Sequence, residues 1–154
     1  LVAALATRVV ERLPGASAAG LAGADTEHDL VSALGTAIDA AWVAIEARPD
    51  EQLLTYEITA FALRNPDLHA VARAQYALSQ AAVERLLTLA AEASGTRWTR
   101  PVPALAGEAL AFLDGVTLHW LVDRDGAAAR TRLESLARYL LMHSRQSRQR
   151  GARG

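Results

Sequence analysis

Hydrophobic residues recur along most of the chain at intervals of three and four positions, the period of an α-helix that buries one side. No segment shows the alternation of apolar and polar residues that is typical of a half-buried β-strand. Prolines, glycines and short polar clusters interrupt the helical pattern. The sequence therefore predicts an all-α domain of about six helices and no sheet. The predicted helices span 1–13, 26–47, 51–64, 66–94, 101–124 and 127–144.

The predicted helix 101–124 is apolar on nearly every side. One broad face carries Leu105, Leu110, Val116 and Trp120 and suits the core of the domain. The other face carries smaller or polar residues in place of the charges of a surface helix. Its members are Gly107, Ala111, Asp114, Gly115, Leu118 and Val122. Small side chains allow two helices to approach closely, so we predict that this face meets a partner. The alternative is one larger core that buries both faces.

Composition narrows the class of protein. The chain has 154 residues, 51% hydrophobic and 21% charged, which is typical of a single globular domain. Its net charge of −1 disfavours nucleic-acid binding by this chain alone. It has no cysteine, no signal peptide and no uninterrupted apolar run of the roughly 18–20 residues that a membrane span needs. We expect a cytoplasmic protein without a membrane partner.

The two ends of the chain differ from the middle. Leu1 already lies inside a helical pattern and is not a methionine, so we expect this chain to be the later part of a longer protein. Residues 145–154 carry four arginines among Gln, Ser and Gly, a composition that favours a flexible basic tail. We therefore predict a helical domain over 1–144 and a tail over 145–154.

Motifs for catalysis and metal binding are missing. The Glu-x-x-His pairs of a helical di-metal site do not occur, and the four histidines have no partners at ligand spacing. No Gly-x-Ser-x-Gly, phosphate-binding loop or dinucleotide fingerprint is present. Nothing places a serine, a histidine and an aspartate together. The sequence therefore predicts neither an enzyme nor a metal or other cofactor.

Polar residues do occur on faces that the helical pattern assigns to the core. Gln75, Tyr76 and Ser79 interrupt the apolar side of the helix 66–94, and Glu57 interrupts that of the helix before it. A buried polar group needs a hydrogen-bond partner. The partners are either other side chains, with Arg64 or Arg73 available for Glu57, or a bound ligand. Ligand pockets are mostly apolar, and Trp42, Phe61, Phe112 and Trp120 are candidates for the apolar wall.

Three stretches resemble the C-terminal domain of TetR/AcrR-family transcriptional regulators. LVAALATRVVERL, at 1–13, resembles the helix that follows the family's DNA-binding helix-turn-helix. YEITAFALRNPDL, at 56–68, is similar to a helix pair broken at an Asn/Asp-Pro, and ALAFLDGVTLHWLVDRD, at 109–125, resembles the penultimate helix. The helix-turn-helix would precede Leu1 and is not part of this sequence.

The resemblance implies a function for each part of the chain. The last two helices would form a four-helix bundle with a second copy, and the last helix would contribute Leu133, Leu136 and Leu140. The earlier helices would enclose a small-molecule effector, which would control DNA binding by the missing domain and thereby make the protein a regulator, most simply a repressor. The positions that match such a pocket are Trp42, Glu57, Phe61, His69, Gln75, Tyr76, Ser79 and Phe112. A small helical-bundle enzyme and a purely structural dimerisation domain are the alternatives.

Overall fold

The computed structural model describes residues 26–146, and the helix predicted over 1–13 lies outside this range. Five α-helices and two short strands follow one another in the described part. The elements are α1 (Thr26–Glu46), α2 (Pro49–Arg64), α3 (His69–Ser94), β1 (Thr96–Trp98), α4 (Val102–Asp123), α5 (Gly126–Met142) and β2 (Ser144–Gln146), with a single 3₁₀ turn at Pro66–Leu68. The all-α prediction is confirmed for this part of the chain, apart from the two strands.

Local signals place the helix ends close to the predicted positions. Pro49 lies in the first turn of α2, where its missing N–H is not needed. Gly95 ends α3 in the left-handed conformation, with φ of 63°. The carboxylate of Asp125 accepts a hydrogen bond from the N–H of Ala128 at 2.9 Å and so caps α5.

The core lies between α1, α3, α4 and α5. One cluster of buried residues joins all four helices and includes Leu30, Leu87 and Leu105. A second cluster joins α1, α4 and α5 around Trp42 and Trp120, whose rings meet edge to face with centroids 5.3 Å apart. Since α4 contributes to both clusters, it is the central helix that its apolar sequence predicts.

The helical period of α2 predicts that Leu54, Ile58 and Phe61 face the interior, and this prediction is wrong. Leu54, Ile58 and Phe61 are all about half exposed, whereas Gln52 and Ala62 on the other side are buried. The chain bends by 87° between α1 and α2. After this bend, α2 lies against α3 and α4 through its more polar side. Helical periodicity identifies an apolar side, but the direction in which a helix leaves its neighbour decides which side is covered.

The sequence also fails to predict the small sheet. Strands β1 and β2 pair antiparallel, with Arg97 opposite Arg145. Each strand has only three residues, too few for an alternating pattern to be recognised. Arg145 and Gln146, which we predicted to start a flexible tail, therefore belong to the folded domain; the rest of the predicted tail lies outside the described residues.

The predicted dimer surface is exposed on α4 and buried on α5. On α4, Ala111, Gly115, Leu118 and Val122 are exposed, so they are free to meet a partner. On α5, the prediction that Leu133, Leu136 and Leu140 lie at the interface is wrong. These three leucines are at most 5% exposed and pack in the core of the same chain. In this arrangement α5 uses its leucine side to hold α1, α3 and α4 together.

By itself, α4 is the one described helix with the length and hydropathy of a membrane span. Buried residues occur along its whole length, from Leu105 to Trp120, in contact with helices of the same chain. In its most apolar 18-residue stretch, 39% of the residues are buried within the chain, so α4 is covered on one side only.

Candidate ligand-binding site

A small polar pocket lies where α2, α3 and α4 meet. Its lining residues are Gln52, Thr55 and Tyr56 of α2, Gln75, Tyr76 and Ser79 of α3, and Leu110 and Asp114 of α4. On each helix the lining residues are three or four positions apart or adjacent, so they lie on one side of it. The cavity volume is about 30 Å³. That is room for a few water molecules, whereas pockets for drug-sized ligands measure roughly 300–1,000 Å³.

The carboxylate of Asp114 is the only formal charge among these lining residues. The hydroxyl of Tyr76 donates to Oδ2 at 3.0 Å. The hydroxyl of Tyr56 lies 3.3 Å from Oδ1 and 3.2 Å from the backbone carbonyl of the same aspartate. One tyrosine from α2 and one from α3 thus meet on a single carboxylate of α4.

The pKa values of the three residues reflect this arrangement. Partial burial raises the pKa of the Asp114 carboxyl above its ordinary value, and the two tyrosine hydrogen bonds oppose that rise only in part. Burial, and then the negative charge of Asp114, raises the pKa of Tyr76 to about 12 and that of Tyr56 further. Both phenols therefore remain protonated donors at neutral pH.

No cation balances Asp114 within residues 26–146. The ion pairs in this range are Arg48–Glu51, Arg100–Glu108, Arg130–Glu46 and Arg138–Glu134, and none involves it. A half-buried carboxylate that has only neutral donors loses hydration without a compensating charge. The ionised carboxylate of Asp114 therefore lowers the stability of the folded protein.

Gln52 is a second unusual residue of this pocket. It is only 5% exposed, and its Nε2 has no hydrogen-bond partner in the described part of the chain. An amide buried in this way costs about 1–3 kcal/mol. A buried polar group without a protein partner is satisfied by ordered water or by a ligand.

The structure brings together three of the predicted pocket residues, Gln75, Tyr76 and Ser79. Asp114, which we predicted in the dimer surface, lines this pocket as well. The pocket residues that the sequence did not predict are Gln52, Thr55, Tyr56 and Leu110. The available signal was the polar spacing of Gln52, Thr55, Tyr56 and Thr59 along one side of α2.

The other predicted pocket residues lie elsewhere. Trp42 is fully buried in the core beside Trp120 and does not line the pocket. Glu57 and Phe61 are exposed on the outer side of α2, and Phe112 is 39% exposed. The Nε2–H of His69 donates to the carbonyl of Leu63 at 2.9 Å, a contact that links α2 to the start of α3. The aromatic residues therefore do not form the apolar wall that we expected.

The lining of the pocket offers hydroxyl groups, two side-chain amides and one negatively charged carboxylate. Within the range 26–146, no group of three His, Asp or Glu side chains converges as metal ligands would.

This chain matches no protein-family model, no curated protein and no solved structure.

Proposed function

We propose that this chain is the effector-binding and dimerisation domain of a cytoplasmic TetR-type transcriptional regulator. In this proposal, a small molecule enters the pocket between α2, α3 and α4 and controls DNA binding by a helix-turn-helix domain that precedes Leu1 in the full protein. The observation that carries the proposal is Gln52, whose buried Nε2 lacks a partner in the described part of the chain, beside the uncompensated carboxylate of Asp114.

The energetic cost of these two groups supports a binding role. A domain selected for stability alone would gain from replacing Gln52 by an apolar residue and from removing the charge of Asp114. Polar groups that destabilise the folded state are common where a ligand supplies the missing interactions. A ligand that hydrogen-bonds to both residues would recover the cost of burying them.

The exposed side of α4 supports self-association. Leu118 is 51% exposed and Val122 is 82% exposed. A Cβ atom at Gly115 would meet nothing within 4 Å in the single chain, so a second helix has room to approach closely. We propose that α4 of a second copy covers Ala111, Gly115, Leu118 and Val122.

The pocket and this surface lie on the same helix. Asp114 lines the pocket, and Gly115, the next residue, lies on the proposed dimer surface. A ligand that moves Asp114 would also move the helix that meets the second copy. A coupling free energy between the two sites would arise in this way, and it would be reciprocal.

The test is thermal unfolding against a library of small molecules, with sedimentation on the same sample. A ligand that binds only the folded state at one hundred times its Kd stabilises by about 2.7 kcal/mol. Tyr76→Phe should reduce such shifts, because it removes a hydroxyl from the pocket. Tyr139→Phe is the matched control, since Tyr139 also donates to a carboxylate, that of Glu108, but lies outside the pocket.

Three results would contradict the proposal. A monomer would exclude the dimerisation role. A dimer without any shift that depends on Tyr76 would fit a structural dimerisation domain instead. Chemical turnover of a compound that binds the pocket would favour a small helical enzyme over a sensor.

A further inference from the structure

The pocket combines several oxygen acceptors with N–H donors, which the side-chain amides of Gln52 and Gln75 supply. The acceptors are the two carboxylate oxygens of Asp114 and the hydroxyl oxygens of Tyr56, Tyr76, Thr55 and Ser79. The three hydroxyl protons with observed bonds are already directed at protein oxygens, those of Tyr56 and Tyr76 at Asp114 and that of Thr55 at the carbonyl of Glu51. A hydroxyl that donates its proton keeps its lone pairs for a ligand. The oxygens of Asp114 and of its two tyrosine partners are therefore suited to a ligand group that donates hydrogen bonds.

The negative charge of Asp114 favours a positively charged ligand group. Among residues 26–146, Asp114 contributes the one negative charge of the lining, and no arginine, lysine or histidine of this range lines the pocket. A positively charged group would supply the attraction that offsets the lost hydration of this carboxylate. It would also keep the two tyrosine hydrogen bonds, because each carboxylate oxygen can accept more than one.

The small cavity disfavours bulky cations, and its single carboxylate disfavours multiply coordinated metal ions. A volume of about 30 Å³ admits a group of only a few atoms while the helices stay in place. A calcium ion requires six to eight oxygen ligands, often from several carboxylates, and the lining has one carboxylate. An ammonium group is compact and donates three hydrogen bonds from one atom.

Gln52 adds a requirement on the atoms next to the ammonium group. Its Nε2 is buried in the lining without a partner in the range 26–146. An amide nitrogen of this kind donates and cannot accept, so the ligand needs an acceptor within reach of it. The pocket thus combines a site for a cationic donor with a site for a neutral acceptor.

We propose that this pocket binds the protonated primary amino group of a small organic molecule, with Asp114 as its counter-ion, and that Gln52 donates to an ether, hydroxyl or carbonyl oxygen a few bonds away. The inference deepens the proposed function and rests on it. The remainder of the ligand extends from the pocket or separates α2 from α3 and α4.

Matched small probes test the ligand class directly. We would titrate the isotope-labelled chain at neutral pH with butylammonium, butanol and butyrate, and follow the backbone amide signals of Tyr76, Ser79 and Asp114. These three probes have similar length and differ in charge. A second pair, 3-methoxypropylammonium and pentylammonium, differs only in one ether oxygen and tests Gln52.

The expected result is binding of the ammonium probes in preference to the alcohol and the carboxylate. Asp114→Asn should weaken butylammonium binding by about 10- to 100-fold, the range for hydrogen bonds to a charged group. Gln52→Met should remove the advantage of the ether probe, which we expect to be about 2- to 10-fold. Tyr139→Phe should change neither affinity, and thermal unfolding would verify that each variant folds.

Failure of this inference is distinguishable from failure of the proposed function. If library compounds shift the unfolding temperature through Tyr76 but no ammonium probe binds up to about 50 mM, the cation class is wrong and the sensor role stands. Preferential binding of butyrate or butanol at the same amides has the same meaning. If the library yields no compound whose effect depends on the pocket, the proposed function fails, and this inference fails with it.

Discussion

The hydroxyl oxygen of Tyr76 on α3 lies 3.0 Å from Oδ2 of Asp114 on α4, although 38 positions separate the two residues in the sequence. This contact joins the pocket to the central helix of the domain. Tyr56 of α2 completes the arrangement from the other side of the carboxylate. One aspartate therefore connects three helices, and a ligand that competes for its oxygens would alter how those helices pack.

Asp114→Asn should stabilise the domain at neutral pH. Burial raises the pKa of Asp114 above the ordinary 3.8, so the folded state holds this proton more tightly than the unfolded state. The charge therefore destabilises the wild type above its folded pKa, and this penalty fades as the pH falls through that value toward 3.8. The titratable groups that face it, Tyr56 and Tyr76, stay protonated throughout. Urea unfolding should show the largest gain at pH 7 and a smaller gain near pH 4; a variant less stable than the wild type at both would contradict this account.

Gly115 is expected to respond differently to small and large substitutions. A Cβ atom at this position meets nothing within 4 Å in the single chain, so Gly115→Ala should raise helix stability by about 0.5–1 kcal/mol in a dilute monomer. Gly115→Leu should shift the dimer toward monomer in sedimentation, because its side chain prevents close approach of a second helix. Ala77→Leu, on the exposed side of α3, is the control and should leave association unchanged. An unchanged dimer in Gly115→Leu would show that the interface lies elsewhere.

Glu108 should make the domain sensitive to acid. Arg100 donates two hydrogen bonds to its carboxylate, at 2.6 and 2.9 Å, and Tyr139 of α5 donates a third. These contacts, that of Arg100 first, lower the pKa of Glu108 from its ordinary value of 4.5. An acid with a lowered folded pKa stabilises the protein above its ordinary pKa, and this contribution is lost as the pH falls through the folded value.

Glu108→Gln should therefore unfold more easily than the wild type at pH 7, and the difference should shrink as the pH falls below 4.5. Glu134→Gln is the comparison, since its pair with Arg138 is longer, at 4.0 Å, and lies on the surface. Unfolding by urea at a series of pH values measures both. If the two variants lose the same stability at every pH, the contacts of Glu108 with Arg100 and Tyr139 contribute no more to the free energy of unfolding than an ordinary surface ion pair.

Trp98→Phe should weaken the attachment of the small sheet to α3. The Nε1–H of Trp98 donates to the carbonyl of Leu87 at 2.9 Å and fastens β1 to α3. Loss of this bond should lower the free energy of unfolding by about 0.5–1.5 kcal/mol. Hydrogen exchange of the amides in β2 should accelerate as well, since β2 pairs with β1. Arg97→Ala, at an exposed position of β1, should change stability by less than about 0.5 kcal/mol, and an equal loss in both variants would argue against this role of the indole.

Signals between neighbouring residues set the helices of residues 26–146 and nearly all of their ends. Helical periodicity, Pro49, Gly95 and Asp125 act through neighbouring residues along the chain, and such signals are present before the chain folds. The interior role of α4 was also predictable, because a helix that is apolar all round has no side suited to water. The same reasoning identified Gln75, Tyr76 and Ser79 as polar groups in need of partners.

Contacts between distant residues determine which side of each helix is covered and by which neighbour. The 87° bend before α2 covers Gln52 and exposes Leu54, and the folding of α5 onto α1 buries Leu133 within one chain. Asp114 belongs to the pocket because Tyr56 of α2 and Tyr76 of α3 donate hydrogen bonds to it. Strand β1 pairs with β2, which follows α5 in the sequence, so the pairing depends on how α4 and α5 pack. These contacts join residues far apart in the sequence, and the directions of several helices must be known together before any of them can be placed.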